Sequence, residues 1–307
     1  MFHTLSLDPR TRFAALPGSI RGAFWMMAAG IMFVGASATV RHLSDDMHIF
    51  EIAFFRSVFG IVFMLPWLTR VGLSAMRTRH TGRYMLRGVT SVSAMFCWFG
   101  ALAAMPIADA TSISFATPIF IALAAVIFLK EPMRRHRWVG LLAGFAGTLI
   151  ILRPGFVEIG FGAALVLGSA VFIAWSSIII KIVGRDDRPD TIALYQVVYM
   201  LPLSLVPALF FWRWPSAEQW FWAALVGLLS TFAQRALTRS YAAADASAVA
   251  PFDFLRLPFA TVLGFMVFME LPDLWTLGGG LVIFIASFYV GHGETRRTKT
   301  SPVKPRT

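Results

Sequence analysis

The sequence predicts an all-α integral membrane protein with ten transmembrane helices in two inverted five-helix repeats. Three observations predict this fold: an apolar composition, ten long apolar runs, and a repeat that relates the two halves of the 307-residue chain. Hydrophobic residues are 57% and charged residues 14%, against roughly 45–50% and 25% in soluble proteins. The mean hydropathy is +0.70. A soluble domain cannot cover so much apolar surface, which excludes disorder, a secreted disulfide scaffold and an ordinary soluble enzyme.

Ten apolar runs are long enough to cross a membrane as helices, which takes about 20 residues each. Together they use roughly 200 residues, so only short connections remain and there is no room for a soluble domain. Their apolar character is continuous rather than alternating, which argues against an outer-membrane barrel. The runs cover residues 22–42, 50–69, 84–104, 109–129, 137–153, 160–180, 191–212, 219–241, 247–269 and 274–291.

The basic residues predict the orientation of these spans. With a cytoplasmic N-terminus, 22 of the 27 Lys and Arg residues, Arg87 among them, fall on the cytoplasmic side. Three, including Arg41, fall outside, and Arg56 and Arg256 lie within spans. Because cytoplasmic loops of membrane proteins are enriched in Lys and Arg, we expect a multi-pass protein of the bacterial inner membrane with both termini inside. Topology thus accounts for most of the +11 net charge, and we expect lipid rather than nucleic acid as its surroundings.

An internal repeat relates residues 22–153 to residues 160–291, flanked by a cytoplasmic segment at 1–21 and a polar, basic tail at 292–307 that we expect to be disordered from Thr295. Each repeat holds five spans, and an odd number inverts the second repeat relative to the first. Inverted repeats around a midplane site are typical of alternating-access carriers; the alternative is a duplicated membrane protein without a transport role. At an offset of 140 residues the matches include Ser37 with Ser177, Arg41 with Lys181, Arg56 with Gln196, Pro118 with Pro258, and Pro132 with Pro272.

Several segments resemble the repeat of the EamA-type drug/metabolite transporter superfamily. They are ADATSISFATPIF at 108–120, FLKEP at 128–132, GLLAGFAG at 140–147, LRPG at 152–155, and APFDFLRLP at 250–258. The resemblance covers about residues 20–291 and implies a secondary carrier with a central cavity between its repeats. Overall similarity is greatest to the proteobacterial riboflavin and S-adenosylmethionine uptake carriers. Riboflavin uptake is therefore the first expectation, and import or export of S-adenosylmethionine, amino acids or other metabolites is the alternative.

Arg56 is the first candidate for the substrate cavity, because an ionisable group inside a span costs about 2.5–3.5 kcal/mol and needs a reason. It either faces the cavity and binds an anionic group or helix carbonyls, or it extends to the outer interface beside Glu51 as a topological anchor.

Asp253 and Arg256 form the sharper pair, because residues three apart share one helix face. Pro251 and Pro258 bracket them, and proline leaves backbone carbonyls free, which is tolerated where a helix lines a cavity. Arg256 would then bind acceptors on the substrate and Asp253 a proton or cation, with Pro118 on the opposing wall. The alternative is an internal ion pair that neutralises itself.

Other candidates are polar or aromatic residues within spans. The amides and the further arginine could face the cavity, and the aromatic rings could stack on a planar ligand. With 29 Phe and 10 Trp in the chain, packing against lipid or helices is the commoner reason for any single aromatic residue. These candidates are Gln196, Gln234, Arg235, Trp98, Phe115 and Phe252.

Enzyme chemistry is not expected. The six histidines lie in tails, loops or span ends, and the sequence has no nucleotide-binding loop, dinucleotide fingerprint or nucleophile elbow. The less favoured reading as a membrane enzyme thus has no residues to support it, and we expect no catalytic residue, metal or cofactor. Gly140 and Gly144 form a GxxxG pair that allows close helix packing, either within the chain or in a homodimer.

Overall fold

The computed structural model describes residues 13, 16–72, 78–130, 135–152, 160–184, 186–187, 189–243, 252, 256–270 and 273–298. Within these ranges the regular secondary structure is helical, and the predicted all-α fold is confirmed. The helices are α1 (Gly18–Leu43), α2 (Ile49–Val71), α3 (Thr81–Ala104), α4 (Ile107–Ser114), α5 (Thr117–Leu129), α6 (Arg135–Leu152), α7 (Phe161–Val183), α8 (Pro189–Leu209), α9 (Ala217–Ala243), α10 (Arg256–Phe268) and α11 (Leu274–Thr298).

Each of the ten predicted apolar runs overlaps at least one of these helices. Five of the described helices (α1, α2, α3, α7 and α8) are both long and apolar enough to cross a membrane. The outer faces of the bundle are apolar as well: Ile127, Leu142 and Met266 are each more than 60% exposed. Side chains of this kind are stable on a surface that contacts lipid rather than water.

For the fourth span, 109–129, the sequence predicted one continuous helix, and the structure differs. The span is broken into α4 and α5, which are joined by Phe115 and Ala116. Pro118 has no backbone N–H and so cannot donate to the carbonyl group of Ser114, four residues earlier, which places the break where the chain would otherwise continue as one helix. The last helix differs in the other direction, because α11 continues to Thr298, past the predicted boundary at residue 291 and into the tail expected to be disordered.

Helix packing follows the predicted symmetry of two repeats. The first helix of the first repeat, α1, packs along the third helix of the second repeat, α9, and α7 packs along α3 in the same way. The second helices, α2 and α8, contact each other, and so do the fifth helices, α6 and α11. Interchanging the two repeats turns the pair α1–α9 into the pair α7–α3. The pairs α2–α8 and α6–α11 stay the same.

Glycines allow the closest of these contacts. A Cβ atom added at Gly279 in α11 would lie 2.6 Å from the carbonyl oxygen of Gly147 in α6. α6 and α11 thus pack closely at Gly147, one turn beyond the GxxxG pair of Gly140 and Gly144, whose use within the chain or in a homodimer remains a prediction.

Gly227 lets α9 approach α2, and we expect Gly227→Ala to destabilise the protein. The added Cβ would lie 2.4 Å from the Cβ of Phe59, so one of the two helices must move. Overpacking of this kind costs about 1–3 kcal/mol, which exceeds the gain of about 1 kcal/mol from replacing a helical glycine with alanine. Thermal unfolding in detergent measures the change. Gly278→Ala is the matched control, because no atom lies within 4 Å of its added Cβ; equal stability of both variants would contradict the prediction.

Candidate functional site

A cavity of about 440 Å³ lies between the two repeats, enclosed by α2 from the first repeat and by α8 and α9 from the second. Arg56 is half-buried at one end of it, whereas Gln234 and Arg239 are exposed. The cavity therefore opens at the end of the bundle where α2 ends at Val71 and α9 ends at Ala243, which we call the open end. The lining residues are Arg56, Gly60, Met64, Trp67, Ala193, Gln196, Val197, Met200, Ser230, Thr231, Gln234, Arg235 and Arg239.

The charged groups that line this cavity are all cationic. Arg56, Arg235 and Arg239 contribute guanidinium groups, and no carboxylate is among the described lining residues. Arg239 also lies over the ring of Trp25, with its guanidinium carbon 5.0 Å from the ring centroid. A wall of this composition attracts anions and hydrogen bond acceptors and repels cations.

Arg56 is held without a carboxylate partner among the described residues. Its Nη1 donates to the sulfur of Met95 at 3.2 Å, which is a weak acceptor. Glu51, the partner suggested for an interfacial anchor, instead accepts hydrogen bonds from the backbone N–H groups of His48 (3.2 Å) and Arg213 (2.7 Å). Donor capacity on the Arg56 guanidinium thus remains for a ligand in the cavity.

The opposite end of the bundle, where α1 ends at Leu43 and α2 begins at Ile49, is closed by polar contacts; we call it the closed end. Arg41 in α1 forms an ion pair with Glu270, which follows α10. Its Nη1 also donates to the backbone carbonyl groups of Leu102, at 2.9 Å, and Met105. One guanidinium therefore ties together the ends of helices from both repeats.

Aromatic side chains fill the space beside this polar closure. The rings of Phe55 and Trp220 meet edge to face, with centroids 4.9 Å apart, and Phe54 contacts Trp212 at 5.6 Å. These contacts connect the start of α2 with the loop after α8 and the start of α9. The cavity therefore has one sealed end and one open end.

Four of the predicted site residues line the same cavity: Arg56, Gln196, Gln234 and Arg235. Arg256 and Phe115 meet elsewhere, with the guanidinium carbon 5.6 Å from the ring centroid, between α10 and the break that follows α4. Gly30 of α1 is part of this contact, because a Cβ there would lie 2.8 Å from Cγ of Arg256.

Among the remaining predicted residues, the described contacts of Trp98 and Phe252 lie outside both groups. Trp98 packs against the hydrophobic core, and Phe252 is 36% exposed. Pro118 and Pro258 lie in α5 and α10, near the start of each helix. Asp253 lies outside the described residues, so the predicted pairing with Arg256 remains a prediction.

Two charged residues were missed as functional candidates because each was assigned to a loop in the charge count. Arg87 is 3% exposed within α3 and bonds to Gln196, and Arg41 holds the closed end. The signal for Arg87 was available, because it falls one turn inside the predicted span at 84–104. Arg239 is a third arginine that was not predicted as a site residue, and it lines the cavity as well.

Comparison with known proteins agrees with this architecture. The model of the EamA-like transporter family matches residues 20–153 and 160–291. The chain is 36% identical over 295 residues to the riboflavin transporter of Rhizobium johnstonii, covering 94% of this chain and 97% of that protein. It is 27% identical over 282 residues to the S-adenosylmethionine uptake transporter of Rickettsia prowazekii, covering 92% and 96%. A solved crystal structure with 18% identity superimposes with a TM-score of 0.63, covering 92% of this chain and 98% of that one, and shares the fold.

Proposed function

Because this chain belongs to the EamA-like transporter family, we propose that it is a secondary carrier, not an enzyme, that takes up riboflavin across the bacterial inner membrane by alternating access. The observation that carries the proposal is the cation-lined cavity between the two repeats, which the described residues close at one end and leave open at the other. The similarity to a riboflavin transporter over nearly the full length of both chains supports the same substrate.

The chemistry of riboflavin fits such a cavity. Its isoalloxazine ring is planar, carries no net charge at neutral pH, and presents carbonyl oxygens and ring nitrogens that accept hydrogen bonds. Arginine guanidinium groups offer only donors, and glutamine amides offer a donor as well. A volume of about 440 Å³ lies within the range of roughly 300–1,000 Å³ that is usual for sites of small ligands.

S-adenosylmethionine, the alternative substrate, fits less well. Its sulfonium and ammonium groups outweigh its single carboxylate, so the molecule has a net positive charge. Three arginines with no carboxylate among the described lining residues would repel it. The lower identity to the S-adenosylmethionine carrier points the same way.

Alternating access follows from the two ends of the bundle. The excess of basic residues supports a cytoplasmic position for the open end, and this conformation would then be inward-open. Rocking of one repeat against the other would close the open end and separate the contacts of Arg41 at the closed end. Arg56, Gln196, Gln234 and Arg235 are the residues we propose to contact the substrate on the way.

Uptake into liposomes tests the proposal directly. Purified protein in vesicles should give saturable uptake of labelled riboflavin that excess unlabelled riboflavin suppresses and that S-adenosylmethionine or amino acids in the same excess leave unchanged. Protein-free vesicles are the control. Uptake of S-adenosylmethionine without any riboflavin flux would refute the substrate proposed here and support the alternative.

A further inference from the structure

Arg87 is a buried arginine that links two helices beside the cavity. Its side chain in α3 donates from Nη1 to the carbonyl oxygen of Ile192 at 2.6 Å and from Nη2 to Oε1 of Gln196 at 2.7 Å. Both acceptors belong to α8, and Gln196 lines the cavity. The residue is only 3% exposed, so this contact is sheltered from bulk water.

The geometry around Arg87 leaves it little freedom. A Cβ added at the neighbouring Gly88 would lie 2.5 Å from Cβ of Tyr199, so α3 and α8 are in close backbone contact here. One turn away, the rings of Tyr84 and Tyr195 stack with centroids 4.7 Å apart. Two hydrogen bonds at a tight helix contact hold the guanidinium group in one place.

Hydrogen bonding chemistry then decides which way the amide of Gln196 points. Arginine has five donors and no acceptor, so it binds only the oxygen of a glutamine amide. Among the described residues, no acceptor is seen for the NH₂ group of Gln196, which is the end of the amide left for the cavity. A glutamine without such a partner would present its oxygen or its nitrogen with similar ease.

We infer that Arg87 is a positioning residue that fixes the side-chain amide of Gln196 with its NH₂ group toward the cavity, as a hydrogen bond donor to a carbonyl oxygen of the substrate. The inference rests on the proposed function for the identity of that substrate. With Arg56, Arg235 and Arg239, it makes the polar wall of the cavity predominantly a donor surface. A substrate with several acceptors and no positive charge is the one that such a wall selects.

Substitutions at both residues test this inference through the KM of riboflavin uptake. Gln196→Glu keeps the contact with Arg87 but replaces the donor with an acceptor, and Arg87→Met releases the amide. Each should raise the KM about three- to tenfold, the usual effect of one hydrogen bond, with a much smaller change in the maximal rate. Arg83→Met is the matched control, because Arg83 lies one turn earlier in α3 and is exposed.

A double-mutant cycle separates positioning from simple helix cross-linking. If Arg87 acts through Gln196, then Arg87→Met should not raise the KM further when Gln196 is already Ala. Independent effects of the two substitutions would overturn the inference. If Arg87→Met does not fold, Arg87→Lys, which keeps the charge but cannot hold both acceptors in the same geometry, takes its place in the cycle.

Analogues of riboflavin provide a readout that a purely structural role would not change. Sulfur is a weaker acceptor than oxygen, so the wild-type protein should prefer riboflavin to an analogue with one ring carbonyl oxygen replaced by sulfur. Gln196→Glu and Arg87→Met should both lose that preference. Absence of riboflavin uptake by the wild-type protein would refute the proposed function, whereas normal uptake with an unchanged KM and preference in both variants would refute only the role of Arg87.

Discussion

Replacing Arg56 with methionine should lower riboflavin uptake roughly ten- to a hundredfold, because a hydrogen bond to a charged group contributes about 1.5–3 kcal/mol. Arg56 lies at the end of the cavity away from the open end. Among the described contacts, its guanidinium group donates one hydrogen bond, to the sulfur of Met95. Its remaining donors find no acceptor among the described residues, so we expect the loss to fall on substrate binding. The protein should still fold, because methionine matches the length of the arginine stem and removes a cation that is costly to bury.

Growth of a riboflavin-auxotrophic strain at low vitamin concentration gives a simple measure of this variant, and uptake into liposomes gives the rate. Arg213→Met serves as the control, because the Arg213 side chain is exposed at the closed end and its backbone N–H, which binds Glu51, is unchanged. Arg56→Lys should recover part of the activity, since it restores the charge without the planar fork of donors. Full rescue by Arg56→Met at normal protein levels would show that Arg56 does not contact the substrate.

The sequence was a good guide to the fold because the membrane restricts it so strongly. Helices must satisfy all backbone groups in lipid, so each apolar run of sufficient length is expected to be helical. The repeat predicted the inverted symmetry that the observed pairing of helices follows. The break between α4 and α5 was the local exception, where Pro118 outweighed the apolar pattern.

The site was harder to predict, because the face of each helix is decided by its neighbours. Gln196, Gln234 and Arg235 were found since polar groups inside spans are rare. Arg256 lies against Phe115, a contact between α10 and the end of α4 that the sequence alone does not reveal. The sequence could predict how deep in the membrane a polar residue lies, but not which face of its helix points toward the cavity.

Arg41 and Arg87 were missed for a different reason. Counting positive charges treats every Lys and Arg near the end of a span as a topological signal. Arg87 was counted on the cytoplasmic side and Arg41 on the outside, yet Arg41 makes three directed hydrogen bonds and Arg87 makes two to another helix or loop. A charge at the end of a span can therefore set the orientation and hold the conformation together.

Replacing Glu270 with glutamine should shift the protein toward the conformation that opens at the closed end. Arg41 must release Glu270 and the carbonyl groups of Leu102 and Met105 before that end can open. Both side chains of the ion pair are about one-fifth exposed, so water weakens their attraction and the expected effect is moderate, about 1 kcal/mol or fivefold in the equilibrium. A substitution shifts the equilibrium between two conformations only if it changes the free energy of one more than that of the other. The ion pair of Arg41 and Glu270 is present in the conformation with the closed end shut, so its loss disfavours that conformation.

The single cysteine of the chain makes the measurement of this equilibrium simple. Cys97 is replaced by alanine and a new cysteine is introduced at Ser230, which lines the cavity. A thiol reagent that cannot cross the membrane is then applied from the closed end, and Glu270→Gln should be labelled severalfold faster than its parent. Glu218→Gln is the control, because Glu218 is an exposed carboxylate at the same end whose contact, to Trp222, stays within α9. Equal labelling rates in all three proteins would mean that the ion pair of Arg41 and Glu270 does not hold the closed end shut, and the aromatic contacts of Phe55 and Trp220 would then be the main barrier on that side.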